Sequence, residues 1–296
     1  MQKLTFTFLC FIGIFCFFQQ SSAQNTSGKD TSWHNKGFDF MLSGGMYFAS
    51  KYNANYYNGD PKNENNINYL FKNQYWYADI NRIAIQNHPF ISDSVFLGDL
   101  PQDMSYKPSM YISLGAKYKF GKNWGISFSY SFTKLTASDV FTLTYKGEMG
   151  NLRPGYLIEH LIGKENRSFF DLTISYLFHP HPIVKPFLEM GLQFNYVKVT
   201  KFYALIENSE FGLLDYYNGV SFIPGVDIQK YNPIFGGPGY GMTAAAGLKL
   251  AFSKYISVDP TFYVSASSLG LIGYKNVAFN YGVCVRVVMS DVVFMK

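Results

Sequence analysis

The side chains best suited to acid–base or metal chemistry are five histidines, His34, His88, His160, His179 and His181. The motif His179-Pro180-His181-Pro182 offers two imidazoles. A zinc site needs three or four ligands, and nothing in the spacing supplies the rest, so a plain turn is expected. Glu159 adjoins His160. Adjacency in a loop does not make a hydrogen-bonded pair, and hydrolysis would also need a nucleophile or a second acid at the same rim. Cys10 and Cys16 lie in an apolar leader, which leaves Cys284 alone in the mature chain, excludes an internal disulfide and argues against a cysteine-based metal site. No catalytic residue, metal or cofactor is expected.

A second set of residues points to different chemistry. Asp39, Lys117, Lys119, Glu189, Lys249, Asp259 and Arg286 each sit among residues that alternate apolar and polar, always on the polar parity. Four cations and three anions sharing a narrow interior would pair with one another, because an unpaired charge there is costly. The expectation is an ion-pair network that plugs a lumen. Charges that gate a pore by separating are the alternative.

The elements that must position these charges are strands. Residues 109–133 place Met110, Ile112, Leu114, Ala116, Tyr118 and Phe120 on one parity, then Trp124, Ile126, Phe128, Tyr130 and Phe132 after the turn 121–123. The other parity is small or polar. Successive side chains of a strand face opposite ways, so this is a hairpin with one apolar face. Tyr118, Phe120 and Trp124 rim that face as aromatics rim a transmembrane strand at the headgroups. The pattern recurs at 170–196 and 240–264, with an opening strand from Phe38 and a closing strand from Val277 to Met289. Pro260 predicts a bulge or a position near the periplasmic rim.

Between the hairpins the alternation fades. Residues 52–107 read as a long loop, with a short helix expected near 67–85. Residues 147–168 and 200–238 also read as loops. Phe141, Leu143 and Tyr145 carry apolar side chains on the parity opposite to Trp124 and Phe132, which predicts a bulge near Ser138-Asp139. Long connections on one side and short turns on the other suit a membrane barrel of eight strands with its termini in the periplasm.

Lys3, an apolar run over 4–18 and Ala23 before Gln24 form a secretory signal peptide. The expected organisation is a signal peptide at 1–23, a periplasmic segment at 24–37 and a barrel at 38–296. The formal charge of +5 without a dense basic cluster argues against nucleic acid. Phe294 falls on the inward parity of the last strand, so an irregularity is expected at Ser290-Asp291 unless the barrel ends before it.

Residues 38–289 resemble the eight-stranded outer-membrane barrels of the OmpA and OmpX type. The Ala23-Gln24 junction, the Tyr/Asn/Lys-rich loops and the glycine-punctuated strands look most like such proteins of Bacteroidota. The resemblance implies an all-β, antiparallel up-and-down transmembrane barrel in the outer membrane, in contact with its lipid. Loop aromatics Tyr52, Tyr56, Tyr57, Tyr75, Trp76 and Tyr77 are candidate contacts for an outer-membrane or extracellular protein or a glycan, since such side chains bring large area at small entropic cost. The expected function is therefore non-enzymatic binding, with membership of a larger assembly plausible for the resembling group. A small-solute channel and a lipid-modifying enzyme are the alternatives.

Overall fold

The computed structural model describes residues 37–63, 65–91, 93–146, 155–178, 184–214, 235–253 and 255–290. The expected signal peptide at 1–23, the expected turn at 179–183 and Phe294 lie outside them. In chain order the described elements are β1 Gly37–Phe48, helix α1 Lys51–Ala54 with a 3-10 turn at Asn55–Tyr57, α2 Asn68–Lys72, α3 Gln74–Asn87, β2 Val95–Leu97, β3 Ser109–Lys119, β4 Trp124–Tyr145, β5 Gly155–Leu177, β6 Val184–Ile206, β7 Ser209–Gly212, β8 Gly236–Ala251, β9 Ile256–Ser267 and β10 Ala278–Ser290.

Eight of these strands close a ring in the order β1-β3-β4-β5-β6-β8-β9-β10, antiparallel throughout, with β10 returning to β1. Leu114 on its outer face is 59% exposed and Ser113 beside it 5%. That contrast repeats around the ring, leaving dozens of Phe, Leu, Ile, Val and Tyr side chains facing outward. Water would not tolerate so large an apolar belt, whereas a bilayer requires it. The ring also leaves no unpaired strand edge in lipid, where a bare N–H or C=O has no partner. The fold is an eight-stranded antiparallel transmembrane barrel.

Strands β4, β5 and β6 run for 22, 23 and 23 residues, about twice what a tilted strand needs to cross a bilayer. The expected bulge at Ser138-Asp139 is absent, because β4 and β5 pair in one unbroken register from Trp124↔Tyr176 to Tyr145↔Gly155. What changes is the surroundings. Below Thr133 the outward residues are apolar and the inward ones polar. Above it Lys134, Thr136 and Ser138 face out, while Leu135, Ala137, Phe141 and Leu143 are buried inside. The strand keeps its parity as its outer face passes from lipid to water. The irregularity is on β6 instead, where Glu165 pairs with Val199 and Lys164 with Lys201, leaving Thr200 as an extra residue. The Thr200 hydroxyl donates to the Lys164 carbonyl at 2.9 Å.

The extensions of β4, β5 and β6, flanked by β2 and β7, form a sheet standing above the barrel. Residues 155–168 and 200–212, expected as loop, are thus largely strand. The helix expected near 67–85 is split: Asn73 ends α2 and caps α3, its side chain accepting the Tyr75 and Trp76 N–H groups at 3.0 and 3.3 Å. The two-residue turn between β6 and β7 puts Glu207 and Asn208 at φ 48° and 67°, the left-handed pair a tight hairpin demands. Helices and sheet enclose one apolar core that includes Tyr57, Ile67, Leu70, Ile80, Leu135, Phe141, Leu161 and Phe202. Gly163 makes this packing close, since a Cβ there would meet the Tyr57 ring at 2.3 Å. We call this unit the crown. Pro260 brings no bulge: the β8–β9 ladder skips the positions facing Pro260 and Asp259 and resumes at Leu250↔Val258 in the same register.

Leu192→Arg, at the middle of the outward face of β6, should cost about 2–4 kcal/mol and prevent formation of the heat-resistant species seen on unboiled gels. Thr142→Arg, on the outward face of the crown, should leave that species intact. Equal effects from the two would place the apolar belt wrongly.

Candidate functional site: a filled lumen beneath a folded crown

The inward parity of the barrel strands carries every member of the charged set to the lumen. Nearest the end where the short turns lie, Asp39 on β1 meets Lys119 on β3 at 2.9 Å and Lys249 on β8 at 3.9 Å. Asp259 on β9 lines the same small cavity. One step deeper, Glu189 on β6 holds Lys117 at 2.9 Å and takes two hydrogen bonds from Arg286 Nη1 on β10, at 3.0 and 2.9 Å. The Phe187 ring lies 5.6 Å from each of these cations. A carboxylate serving two cations is the arrangement a low-dielectric interior favours, because every charge then has a partner.

Above this cluster lies a cavity of about 40 Å³, lined among others by Ser43, Ser113, Asp171, Thr173 and Gln193. It has room for a few waters. Asp171 accepts a hydrogen bond from Gln193 at 2.8 Å, and Tyr111, Ser131 and Ser113 form a chain of bonds at 2.7 and 2.9 Å. Next come the rings of Tyr47, Phe169, Tyr263 and Tyr111, with Tyr47–Phe169 centroids 5.4 Å apart and Tyr111–Tyr263 4.9 Å apart. The free thiol of Cys284 is buried beside them.

At the junction of barrel and crown the structure adds a buried pair that the sequence pattern did not single out. Arg167 Nε meets Glu165 at 2.5 Å, with both side chains fully buried. Tyr57 donates to the other Glu165 oxygen, Arg167 reaches the Tyr47 hydroxyl at 3.4 Å and its guanidinium lies 4.9 Å from the Tyr106 ring. Burial, reinforced by the Glu165 carboxylate, holds the Tyr57 and Tyr106 hydroxyls well above the ordinary tyrosine range. They stay neutral donors. Reading 147–168 as loop hid this pair; the alternation of Leu157, Leu161 and Phe169 was the available signal.

Several candidate contact residues sit elsewhere than expected. Tyr56 and Tyr57 are buried, so they pack the crown rather than face a partner. Tyr52 is half-buried, 5.4 Å from the Tyr274 ring. Trp76 packs edge-on to Phe211 at 5.7 Å, and Tyr77 lies 6.2 Å from Phe71. Of the six, Tyr75 alone is exposed.

Glu159 and His160 do not pair. Glu159 is buried on the inner face of β5, and His160 is exposed on the outer face. Instead, His88 at the end of α3 bonds through Nε2 to Glu207 in the β6–β7 turn, and the Glu207 N–H donates to Glu159 at 3.3 Å. Burial pushes the Glu159 carboxyl up to about 7, with Glu207 adding to the rise and the Glu207 N–H and His88 opposing it. Among the described residues no group of three or more His, Cys, Asp or Glu is arranged to hold a metal.

Glu189→Gln would leave Lys117 and Arg286 facing each other without a counter-charge, and should destabilise the barrel by about 3–5 kcal/mol in denaturant unfolding from lipid. The Glu159 carboxyl holds its proton more tightly folded than unfolded, so its favourable contribution is full below about pH 4.5 and disappears as the pH rises through about 7. Amide protection at the β6–β7 turn should therefore fall by about 1–2 kcal/mol over that window, after allowance for solvent screening. Glu159→Gln should flatten the profile.

No family model and no curated protein matches the chain. Among solved structures it is similar to Neisserial surface protein A, at 11% identity over 86% of this chain and 96% of that one, with a TM-score of 0.41. It is also similar to the outer membrane protein OprG from Pseudomonas aeruginosa, at 11% identity over 86% and 94% with a TM-score of 0.34. A third is Ail, the attachment invasion locus protein of Yersinia pestis, at 10% identity over 86% and 98% with a TM-score of 0.34. The assignment as a transmembrane barrel rests on the closed ring and its lipid-facing belt.

Proposed function

We propose that this protein is an outer-membrane barrel, exported with a cleaved signal peptide at 1–23, whose closed lumen serves as an anchor and whose crown binds another protein outside the membrane. The observation that carries this reading is where apolar surface is hidden and where it is left bare. The lumen is filled in turn by ion pairs, aromatic rings and the crown core. On the outward face of the crown sheet, by contrast, Phe96, Val140, Tyr156 and Ile158 are exposed by 43, 43, 59 and 69%.

These four belong to one surface. Phe96 and Tyr156 flank Thr144, Ile158 pairs with Thr142, and Val140 pairs with His160. They lie beyond Lys134, Thr136 and Ser138, so lipid does not cover them. A contiguous apolar patch facing water, built on a rigid sheet and including a tyrosine, has the makeup of a recognition surface. The crown supplies it without the ordering cost of a floppy loop. Such a face looks sideways across the membrane plane, which suits a neighbour that also rises from the membrane.

Tyr156→Asp with Ile158→Asp should abolish recovery of partners that co-purify with the tagged chain after cross-linking in native membranes, while Lys62→Asp on the crown should not. Recovery that ignores the patch would remove this reading. The channel alternative is tested separately: Glu189→Gln with Lys117→Met should keep liposome swelling at background, and a large rise in permeability would favour a gated pore.

A further inference from the structure

Immediately above the aromatic end of the apolar belt, the outward face of β4, β5 and β6 carries a cluster of lysines. Lys134 and Lys198 are the first outward residues beyond Phe132 and Tyr196, about 7 Å farther along their strands. They flank Asn166 in one row, Lys134↔Asn166↔Lys198. The next row is Thr136↔Lys164↔Lys201, and exposed Lys107 joins it through its N–H bond to the Thr136 carbonyl at 2.9 Å.

Two features mark this face as built for an anion. Lys164 and Lys201 are direct cross-strand partners, and like charges so placed repel. Both ammonium groups converge on one ring, lying 5.7 and 5.9 Å from the centre of Tyr203. No acidic side chain belongs to either described row. Glu210 meets Lys201 at 3.5 Å, but both are more than half exposed and the contact is weak.

Position selects the occupant. The cluster sits where the lipid-facing surface passes from hydrocarbon to headgroups, with Tyr130, Phe170, Phe194 and Tyr196 just below it. Lysines at this depth reach along their alkyl stems toward the headgroup plane. At comparable strand ends the facing β8, β9 and β10 wall shows Tyr240, Ala266 and Phe279 in place of lysines.

We propose that Lys134, Lys164, Lys198 and Lys201 form a binding site for the phosphate groups of lipids in the outer leaflet. The proposal depends on the crown facing outward and is independent of any protein partner at the upper patch. An anion bridging Lys164 and Lys201 would offset their mutual repulsion and tie the crown to the leaflet beneath it.

The test uses the full chain in phosphatidylcholine nanodiscs doped with bisphosphorylated lipid A, or with the same lipid after removal of its phosphates, and native mass spectrometry to count retained lipid. The native chain should retain the phosphorylated form at least fivefold better, with the preference shrinking at high salt. Lys→Gln at 134, 164, 198 and 201 together should abolish the preference. Lys→Gln at 62, 72, 146 and 275, which removes the same charge from other exposed positions, should preserve it. The milder double change Lys164→Gln with Lys201→Gln should lower retention at least twofold while leaving the heat-resistant band unchanged. Equal retention of both lipids by the native chain, or equal loss in the two quadruple variants, would overturn the proposal.

Discussion

The molecule depends on closing eight strands into a ring so narrow that side chains fill most of it. Lipid outside forbids any unpaired backbone, so the ring must close, and once closed it leaves little room for solvent. Every inward side chain must then be small, or matched by a partner across the lumen. Serines and glycines of β3 and β4 meet the first condition, and the Asp39, Glu189 and Arg286 clusters meet the second. Replacing such pairs by fitted apolar groups could be equally stable; what they confer is intolerance of being separated. A lumen that resists separation suits an anchor better than a conduit.

The same ring explains the crown. Three adjacent strands continue past the bilayer, β4 and β5 with unchanged pleat and β6 across one bulge at Thr200, so their inner faces still converge above the mouth of the barrel. No lipid covers their outer faces there, and the inner faces become the sheltered side. Apolar residues therefore move inward, and the first loop supplies helices α1, α2 and α3 to cover them. The Glu165–Arg167 pair lies at this change of regime, fully buried and bonded to tyrosines from both barrel and crown. It ties the two units into one continuous interior. The lysine rows mark the matching boundary on the outside, where hydrocarbon gives way to headgroups.

Much of this was legible in the sequence. Period-two alternation identified the eight barrel strands, because lipid on one side and a crowded lumen on the other leave the pleat no freedom of register. The parity of the charged residues likewise placed all seven on the inner wall. The crown was less legible for the same reason. Its strands carry the opposite polarity on each face, so the rule that identified the belt reads Phe141 and Leu143 as a defect, and Leu157 and Leu161 as loop. The tyrosines of the first loop were equally ambiguous, since an aromatic ring serves a core and a contact surface with the same chemistry.

What the sequence determined by itself, then, was the membrane-crossing ring and the side on which each residue of that ring lies. Both follow from local alternation under a strong, uniform solvent constraint. The tertiary structure decided which charges meet, such as Glu189 with Lys117 and Arg286 from strands far apart in the chain. It also decided that Tyr56 and Tyr57 are buried while Tyr156 and Ile158 are bare. Those outcomes depend on how helices and extended strands stack above the bilayer, and stacking is a property of surfaces brought together at long range, which no short window of residues encodes.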